Sequence, residues 1–371
     1  MGGAEHYSVA VVEQLAKHHE VHVFAQEIEH QLPGVFYHLI ARPIRKPRWI
    51  NQLWYATATW WLTRRGFDIV HSHENTWHGH IQTVHVRPFR TGLFHQRSGW
   101  RRWLKWMALF TSPRLLTYWW LERSRMQAKP NRRIVATSAS VKEDILQAYP
   151  HVSPLLHTIA PGVELPTHAS DKVQLRNLLG LPLSPPLALF VGNDYLKKGL
   201  PTLLHALVKL PDLHLAVAGQ TMHLVTCQQL AQSLGVAQRV HFLGTVSNMA
   251  SAYDAADLLV HPTTEDTYAM VVLEAMAHGL PVVVSGPHHC GISAELVNGQ
   301  NASLINDPRN AAEIASALSR VLGNSSFSEK MIKEGFKFSA ARTWEKTSND
   351  YLHLFRKIAQ PHTRQNQRQF E

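Results

Sequence analysis

Cysteine is nearly absent: Cys227 and Cys290 are the only two in 371 residues. Two isolated thiols build no disulfide framework, and neither belongs to a C-x-x-C metal knuckle. A chain of this kind suits a reduced compartment, so the cytoplasm is expected. The opening MGGAEHYSVA lacks the basic-then-apolar pattern of a secretory signal. His6 stands where a myristoylation motif places Ser or Thr. No uninterrupted apolar run reaches about 18 residues, the length a spanning helix needs. Charged residues make up only 17% and apolar ones 45%, the balance of a globular protein with real cores. The length is enough for two domains.

Acidic residues are also scarce in one place. The net charge is +10. Between Arg97 and Arg133 ten Lys or Arg face a single acid, Glu122. An anionic partner is expected there. The same stretch carries Trp100, Trp103, Trp106, Trp119 and Trp120. Helical spacing puts Trp100, Trp103, Leu104, Met107 and Phe110 on one stripe, with Arg101, Arg102 and Lys105 on the other side. That is the pattern of a helix lying in a membrane surface. An ordinary amphipathic core helix and a nucleic-acid patch are the alternatives. A single-stranded nucleic acid wants aromatics beside the charges rather than opposite them, so none is expected as a partner.

Strand and helix patterns alternate along the chain. Ser8 to His18 reads as a helix. Glu20 to Ala25, Val35 to Ile40, Ile69 to His73, His80 to Val86 and Arg133 to Thr137 read as strands, and Val141 to Tyr149 as a helix. A looser stretch from Ala160-Pro161-Gly162 to Pro185-Pro186 marks a domain boundary. The pattern then repeats. Strands are expected over Leu187 to Val191, Leu213 to Ala218, Val240 to Leu243 and Leu258 to His261. Helices are expected over Leu200 to Lys209, Cys227 to Leu234, Met249 to Ala256, Ala311 to Leu322 and Ser328 to Phe338. Such alternation implies parallel sheets covered on both faces, with a cleft at the carboxyl ends of the strands. The polar tail over 361–371 is expected to be disordered.

Two constellations carry chemistry. The loop Gly192-Asn193-Asp194-Tyr195-Leu196-Lys197-Lys198-Gly199 follows a strand and opens a helix. A glycine-bearing loop, two lysines and a helix N-terminus form an anion site suited to a diphosphate, or else a solvated lysine pair on a turn. Further on, TEDTYAMVVLEAMAHGLP places Asp266 in a polar turn and Glu274 in an apolar helical run. Carboxylates there accept bonds from sugar hydroxyls. The alternative is a helix cap at Asp266 and a buried salt bridge at Glu274. Histidine is abundant, and His71 with His73 shares a strand face. No carboxylate or thiolate joins a triad at ligand spacing, so no metal is expected.

The ordered set GGAEHYSVAVVEQLA, EVHVFA, DIVHSH, QTVH, IVATSASVKEDI, APGVE, LFVGNDYLKKGLPTLLHAL, LAVAGQ, VHFLG, YDAADLLVHP and LEAMAHGLPVV resembles the family 4 retaining glycosyltransferases, from Gly2-Gly3 to about Leu354. Within that family the likeness is to bacterial lipopolysaccharide core glucosyltransferases. The resemblance implies a GT-B α/β fold of two Rossmann-like, doubly wound domains facing a central cleft. The acceptor-binding domain would span 1–161, completed by a helix over 343–360. The donor domain would span 162–342. Lys198, with Lys197, would neutralise the donor diphosphate at the Gly192 loop, and Glu274 would hold the ribose. Asp266 would contact the transferred sugar. Backbone N–H groups of Tyr268, Ala269 and Met270 would bind the distal phosphate. His85 would lie at the reacting face. Gly2 and Gly3 would approach donor and acceptor. No cofactor would be required. The implied partners are a nucleotide sugar, a lipid-linked saccharide and an anionic membrane surface on the cytoplasmic side.

Three departures from the family pattern stand out. Asp266 occupies a position the family gives to Glu, with Glu265 one residue out of register. Ala269 stands where the family has Gly. The family also has an apolar strand before the Gly-Gly turn; its absence would leave a gap between inner strands, from which an upstream start or a damaged gene is expected. A nucleotide-sugar binding protein without turnover and another GT-B activity such as epimerisation are the competing readings. The second needs an acid/base carboxylate pair at the anomeric end, and none is placed.

Overall fold

The computed structural model describes residues 3–359 except 30, 45, 95–98, 101–102, 104–106, 108, 110, 168–169 and 220–222. Gly2, Arg101, Arg102, Lys105, Trp106 and the tail over 361–371 lie outside the described residues. The chain divides into two compact units, Met1–Pro161 with Trp344–Glu371, and Gly162–Thr343.

The first unit opens with helix α1 (Gly3–Ala16). Strands β1 (Val21–Ala25) and β2 (Val35–Leu39) pair in parallel as a sheet of their own. Helix α2 (Arg48–Thr63) follows. Strands β3 (His71–Ser72), β4 (Ile81–Val84), β5 (Arg133–Ala136) and β6 (Leu156–Thr158) form a second parallel sheet in that order. Among the described residues no pairing joins β1 to β3. Ile134, Ala136, Val141, Ile145 and Val152 pack as the core of the four-stranded half. Helix Trp344–Ala359 belongs to this unit. Its Tyr351 hydroxyl meets that of Tyr7 at 2.8 Å, and Trp344 lies edge-on to Tyr7 at 5.6 Å.

The second unit is one six-stranded parallel sheet. Its strands are β7 (Leu187–Val191), β8 (His214–Ala218), β9 (Val240–Gly244), β10 (Leu258–His261), β11 (Val282–Ser285) and β12 (Ser303–Ile305). They run in the order β12-β11-β10-β7-β8-β9. Parallel strands buried on both faces read as unbroken apolar runs, and LALFV in β7 and LLVH in β10 are buried throughout or nearly so. Phe190, Leu203, Leu207, Val217, Leu258, Ile314 and Leu318 share its core.

Several elements differ from the sequence reading. The strand expected over Ile69 to His73 pairs only at His71–Ser72. Helix α1 begins at Gly3 rather than Ser8, so Gly3 lies in a first helical turn and not in a loop. Strands β6 and β12 were not expected: three residues are too short to show a period. Helix α2 was not expected either, because it lacks an inward apolar stripe.

Candidate active site

The loop from Gly192 to Gly199 leaves the carboxyl end of β7, and the segment from Pro262 to Ala269 leaves the neighbouring β10. Two glycines permit their approach. A Cβ on Gly199 would meet the Pro262 carbonyl oxygen at 2.0 Å, and φ there is +82°. A Cβ on Gly192 would meet Lys198 Cγ at 2.9 Å. Asp194 shapes the turn: its carboxylate accepts from the Lys197 N–H at 3.1 Å, and its carbonyl from the Lys198 N–H at 2.9 Å. The Lys197 carbonyl accepts from the Thr264 N–H at 2.9 Å and stitches the two segments together.

The two lysines part company. Lys198 Nζ donates to Asp266 Oδ2 in a largely buried ion pair. Lys197 Nζ lies 3.1 Å from Glu265 in an exposed one. His261, at the end of β10, places Nε2 3.2 Å from the same Asp266 oxygen. The other oxygen, Oδ1, accepts from the N–H groups of Tyr268 at 3.2 Å and Ala269 at 2.9 Å. Asp266 therefore closes the turn just ahead of the helix Met270–Ala277, whose N-cap position is Ala269. Burial alone would raise its carboxyl, but the His261 ring and the Lys198 ammonium outweigh that and hold it well below the usual range.

This geometry changes one expectation. The N–H groups of Tyr268 and Ala269, expected to bind a distal phosphate, are taken by Asp266. The reason is local: an aspartate two and three residues ahead reaches them as an N-cap does. Ala269 has φ 68°, the one non-glycine in the left-handed region among the described residues. Met270 is the first residue of the helix.

Glu274 projects from that helix and accepts from the Tyr253 hydroxyl at 2.5 Å. It is half-buried rather than enclosed. Burial, reinforced by Glu274, pushes the Tyr253 phenol well above its ordinary value. Tyr253 also stacks on His278 at 5.2 Å, whose Nδ1 lies 2.6 Å from Asp254. Sequence reasoning gave neither Tyr253 nor His261 a role in the site. Both sit in apolar runs, and their roles come from tertiary placement alone.

His85 lies in the other unit, just beyond β4. Its Nε2 is 3.0 Å from His73 Nδ1, and Tyr7 lies edge-on at 5.0 Å. His71 Nε2 meets Thr83 Oγ1 at 2.8 Å, and Thr83 meets the Tyr351 hydroxyl at 2.8 Å. Burial lowers His85 to about 4 and His71 to about 3, with the Arg125 charge adding to it. These rings are neutral at pH 7. Among the described residues no group of three His, Cys, Asp or Glu could hold a metal. Trp100 and Trp103 are 67% and 60% exposed.

A profile for Glycosyltransferase Family 4 matches residues 1–166, and one for Glycosyl transferases group 1 matches residues 171–338. The chain carries the two domains of a GT-B glycosyltransferase. An uncharacterized glycosyltransferase of Methanocaldococcus jannaschii is 26% identical over 235 residues, 60% of each chain. A D-inositol 3-phosphate glycosyltransferase of Xylanimonas cellulosilytica is 32% identical over 201 residues, 50% of this chain and 48% of that one. The chain thus spans about half the length of the curated relatives it matches. Among solved structures, WaaG, a glycosyltransferase involved in lipopolysaccharide biosynthesis, superposes with a TM-score of 0.81 at 19% identity over 96% of both chains. HepE of Anabaena, in complex with UDP and glucose, gives 0.72 at 17% identity over 95% of both. These likenesses place both domains in the GT-B fold.

Proposed function

We propose that this chain is a retaining glycosyltransferase that moves a hexose, glucose in the first instance, from a UDP-linked donor to a lipid-linked saccharide such as lipopolysaccharide core. The observation that carries the reading is the Lys198–Asp266 pair. It sits where the loops after two neighbouring parallel strands meet, the position at which open α/β sheets bind ligands. HepE was crystallised with UDP and glucose, and WaaG acts in lipopolysaccharide biosynthesis; both names support the donor and acceptor classes.

An arriving diphosphate competes with Asp266 for Lys198. Once Lys198 turns to the phosphates, the Asp266 carboxylate, still held by His261 and two amides, accepts from a sugar hydroxyl. Glu274, oriented by Tyr253, accepts from the ribose hydroxyls. The acceptor oxygen bonds to the anomeric carbon as the bond to the diphosphate breaks, and its proton passes to the leaving phosphate oxygen on the same face. Lys198 stabilises the charge that develops there, so the transfer requires no metal or cofactor. The resemblance would give His85, kept neutral by burial, the role of a hydrogen-bonding group toward the sugar. On this reading the sequence from Trp100 to Trp106, with Trp100 and Trp103 on one helical stripe and Arg101, Arg102 and Lys105 opposite, would rest against the inner face of the cytoplasmic membrane. No helix among the described residues is long and apolar enough to cross a membrane.

The divided sheet of the first unit favours a second reading, donor binding without transfer. UDP release from UDP-glucose, with and without a lipopolysaccharide core acceptor, separates the two. Acceptor-dependent release is expected. Tight UDP binding with no turnover of any nucleotide sugar selects the second reading, and neither binding nor turnover removes both.

A further inference from the structure

Helix α2 is built inside out. A surface helix normally turns its apolar stripe to the core and its polar face to water. Here the residues turned fully inward are Asn51, Ala56 and Thr59. Trp54, Trp60, Trp61 and Leu62 face outward at 45%, 42%, 58% and 40% exposure. Trp54, Ala58 and Trp61 follow one another at helical spacing. With Leu39, Ile40 and Ala41 at the end of β2 they line an apolar groove of about 430 Å³. The groove is not a packing accident of one rotamer: the Trp54 indole N–H donates to the Ala41 carbonyl at 3.0 Å, fixing its wall.

Charge selects the occupant. From His30 to Phe67 the sequence holds six Lys or Arg and no acid. Arg48, Arg64 and Arg65 are exposed at the two ends of α2. The Arg64 guanidinium lies over the Trp61 ring, 5.3 Å from its centre. Arg42 is exposed at the groove edge and shares a 3.7 Å contact with Glu27. Outward indoles flanked by outward arginines match the boundary between acyl chains and anionic headgroups. A partner helix would need only the apolar groove, and a nucleic acid only the arginines.

We propose that α2 and the end of β2 form a membrane-docking face for anionic phospholipid, with Trp54, Trp60, Trp61 and Leu62 entering the interfacial layer. It extends the proposed membrane location to a surface outside the Trp100–Trp106 segment. It rests on α2 and the end of β2 and is read without any sugar donor, so failure of the transfer reading leaves it standing.

The test is co-sedimentation of the full chain with phosphatidylcholine vesicles, with and without phosphatidylglycerol. Binding is expected to rise with phosphatidylglycerol and to fall about tenfold in a Trp60→Ser/Trp61→Ser double variant. Arg64→Ser/Arg65→Ser is expected to remove much of the phosphatidylglycerol dependence. A Trp100→Ser/Trp103→Ser variant is expected to retain vesicle binding that the Trp60/Trp61 changes then abolish. Undiminished vesicle binding by a folded Trp60→Ser/Trp61→Ser variant overturns the proposal. So does a wild-type dimer that this variant converts to monomer, which would assign the face to a second copy. Should the variants misfold, Thr57→Cys labelled with a polarity-sensitive dye decides the matter, because Cys227 and Cys290 are buried. A blue shift on phosphatidylglycerol vesicles supports the proposal; an unchanged spectrum overturns it.

Discussion

The two units share a chain pattern and differ in how completely it closes. In residues 162–343 six strands form one sheet, and each site carboxylate meets a partner on the same unit. In the N-terminal unit the strands fall into two sheets, and one helix turns its tryptophans outward. The polar groups there are neutralised differently as well. Asp266 is charged and compensated by Lys198 and His261, whereas His71, His73 and His85 are kept uncharged by burial. A closed sheet with paired charges suits a compact anionic ligand. Open edges and outward indoles suit a large, apolar-tailed one. On the proposed reading, the divergence matches a small soluble donor on one unit and a lipid-anchored acceptor on the other.

The largest expected effect probes the charged half. Lys198→Met keeps the side-chain stem against Gly192 and removes the ammonium. Turnover of UDP-glucose is expected to fall on the order of 100-fold or more, as when a preorganised electrostatic partner of a transition state is lost. The C-terminal sheet should persist, since Asp266 keeps His261 and the two amides. A loss below about tenfold would break the assignment of Lys198 to the leaving diphosphate.

Acid separates the halves next. His71, His73 and His85 have folded values below the ordinary 6.5, down to about 3 for His71 and about 4 for His85. The unfolded chain therefore binds more protons between about pH 6.5 and 4. The stability these rings contribute is present above about 6.5 and is lost as pH falls toward 4. His78, His80 and His157 act in the same direction in that unit. In the other unit His214, His241 and His261 are lowered too. Asp266 behaves otherwise: its stabilisation is present above the unfolded value of 3.8 and lost only below it. The N-terminal unit should lose on the order of 2 kcal/mol or more across that window. Hydrogen exchange at stepped pH is expected to show peptides of β3 to β5 losing protection before those of β7 and β10. Simultaneous loss in both units would erase the distinction.

The contrast also explains what the sequence could tell. Leu187–Val191 and Leu258–His261 were readable to the residue, because a strand buried on both faces is a continuous apolar run. Lys198 stood out in a glycine-bearing loop that opens a helix, and Asp266 as a carboxylate in a turn ahead of an apolar run. The pairing between them, and the roles of His261 and Tyr253, depend on loops from different strands meeting. No local spacing encodes that meeting. In the N-terminal unit the strand read over Ile69 to His73 pairs at only two residues, and α2, with no inward stripe, left no periodic signal. The outward tryptophans that hid α2 are the same ones that give it a use.

The smallest effect concerns the seam between donor loop and helix. Ala269 holds φ 68° immediately before the helix Met270–Ala277. A Cβ in the left-handed region costs roughly 1–2 kcal/mol relative to an unstrained residue, a cost glycine avoids. Glycine also gains freedom in the unfolded chain, which offsets part of that. Ala269→Gly should therefore stabilise the protein by up to about 1 kcal/mol, a rise of about 2 °C in a thermal melt for a unit of this size. Its value lies in the direction of two readouts together. If Ala269 is strained to hold the turn that Asp266 closes, the glycine variant melts higher while its affinity for UDP changes little, since Asp266 still reaches the amides of positions 268 and 269. If the αL turn is instead held by ligand-binding demands on a phosphate-facing amide, the variant binds UDP more tightly as well, because the turn can open toward the phosphate without the methyl group. A lower melting temperature would mean that the methyl group, 5% exposed, is packed well enough to outweigh the strain, and that this seam is as closed as the sheet behind it.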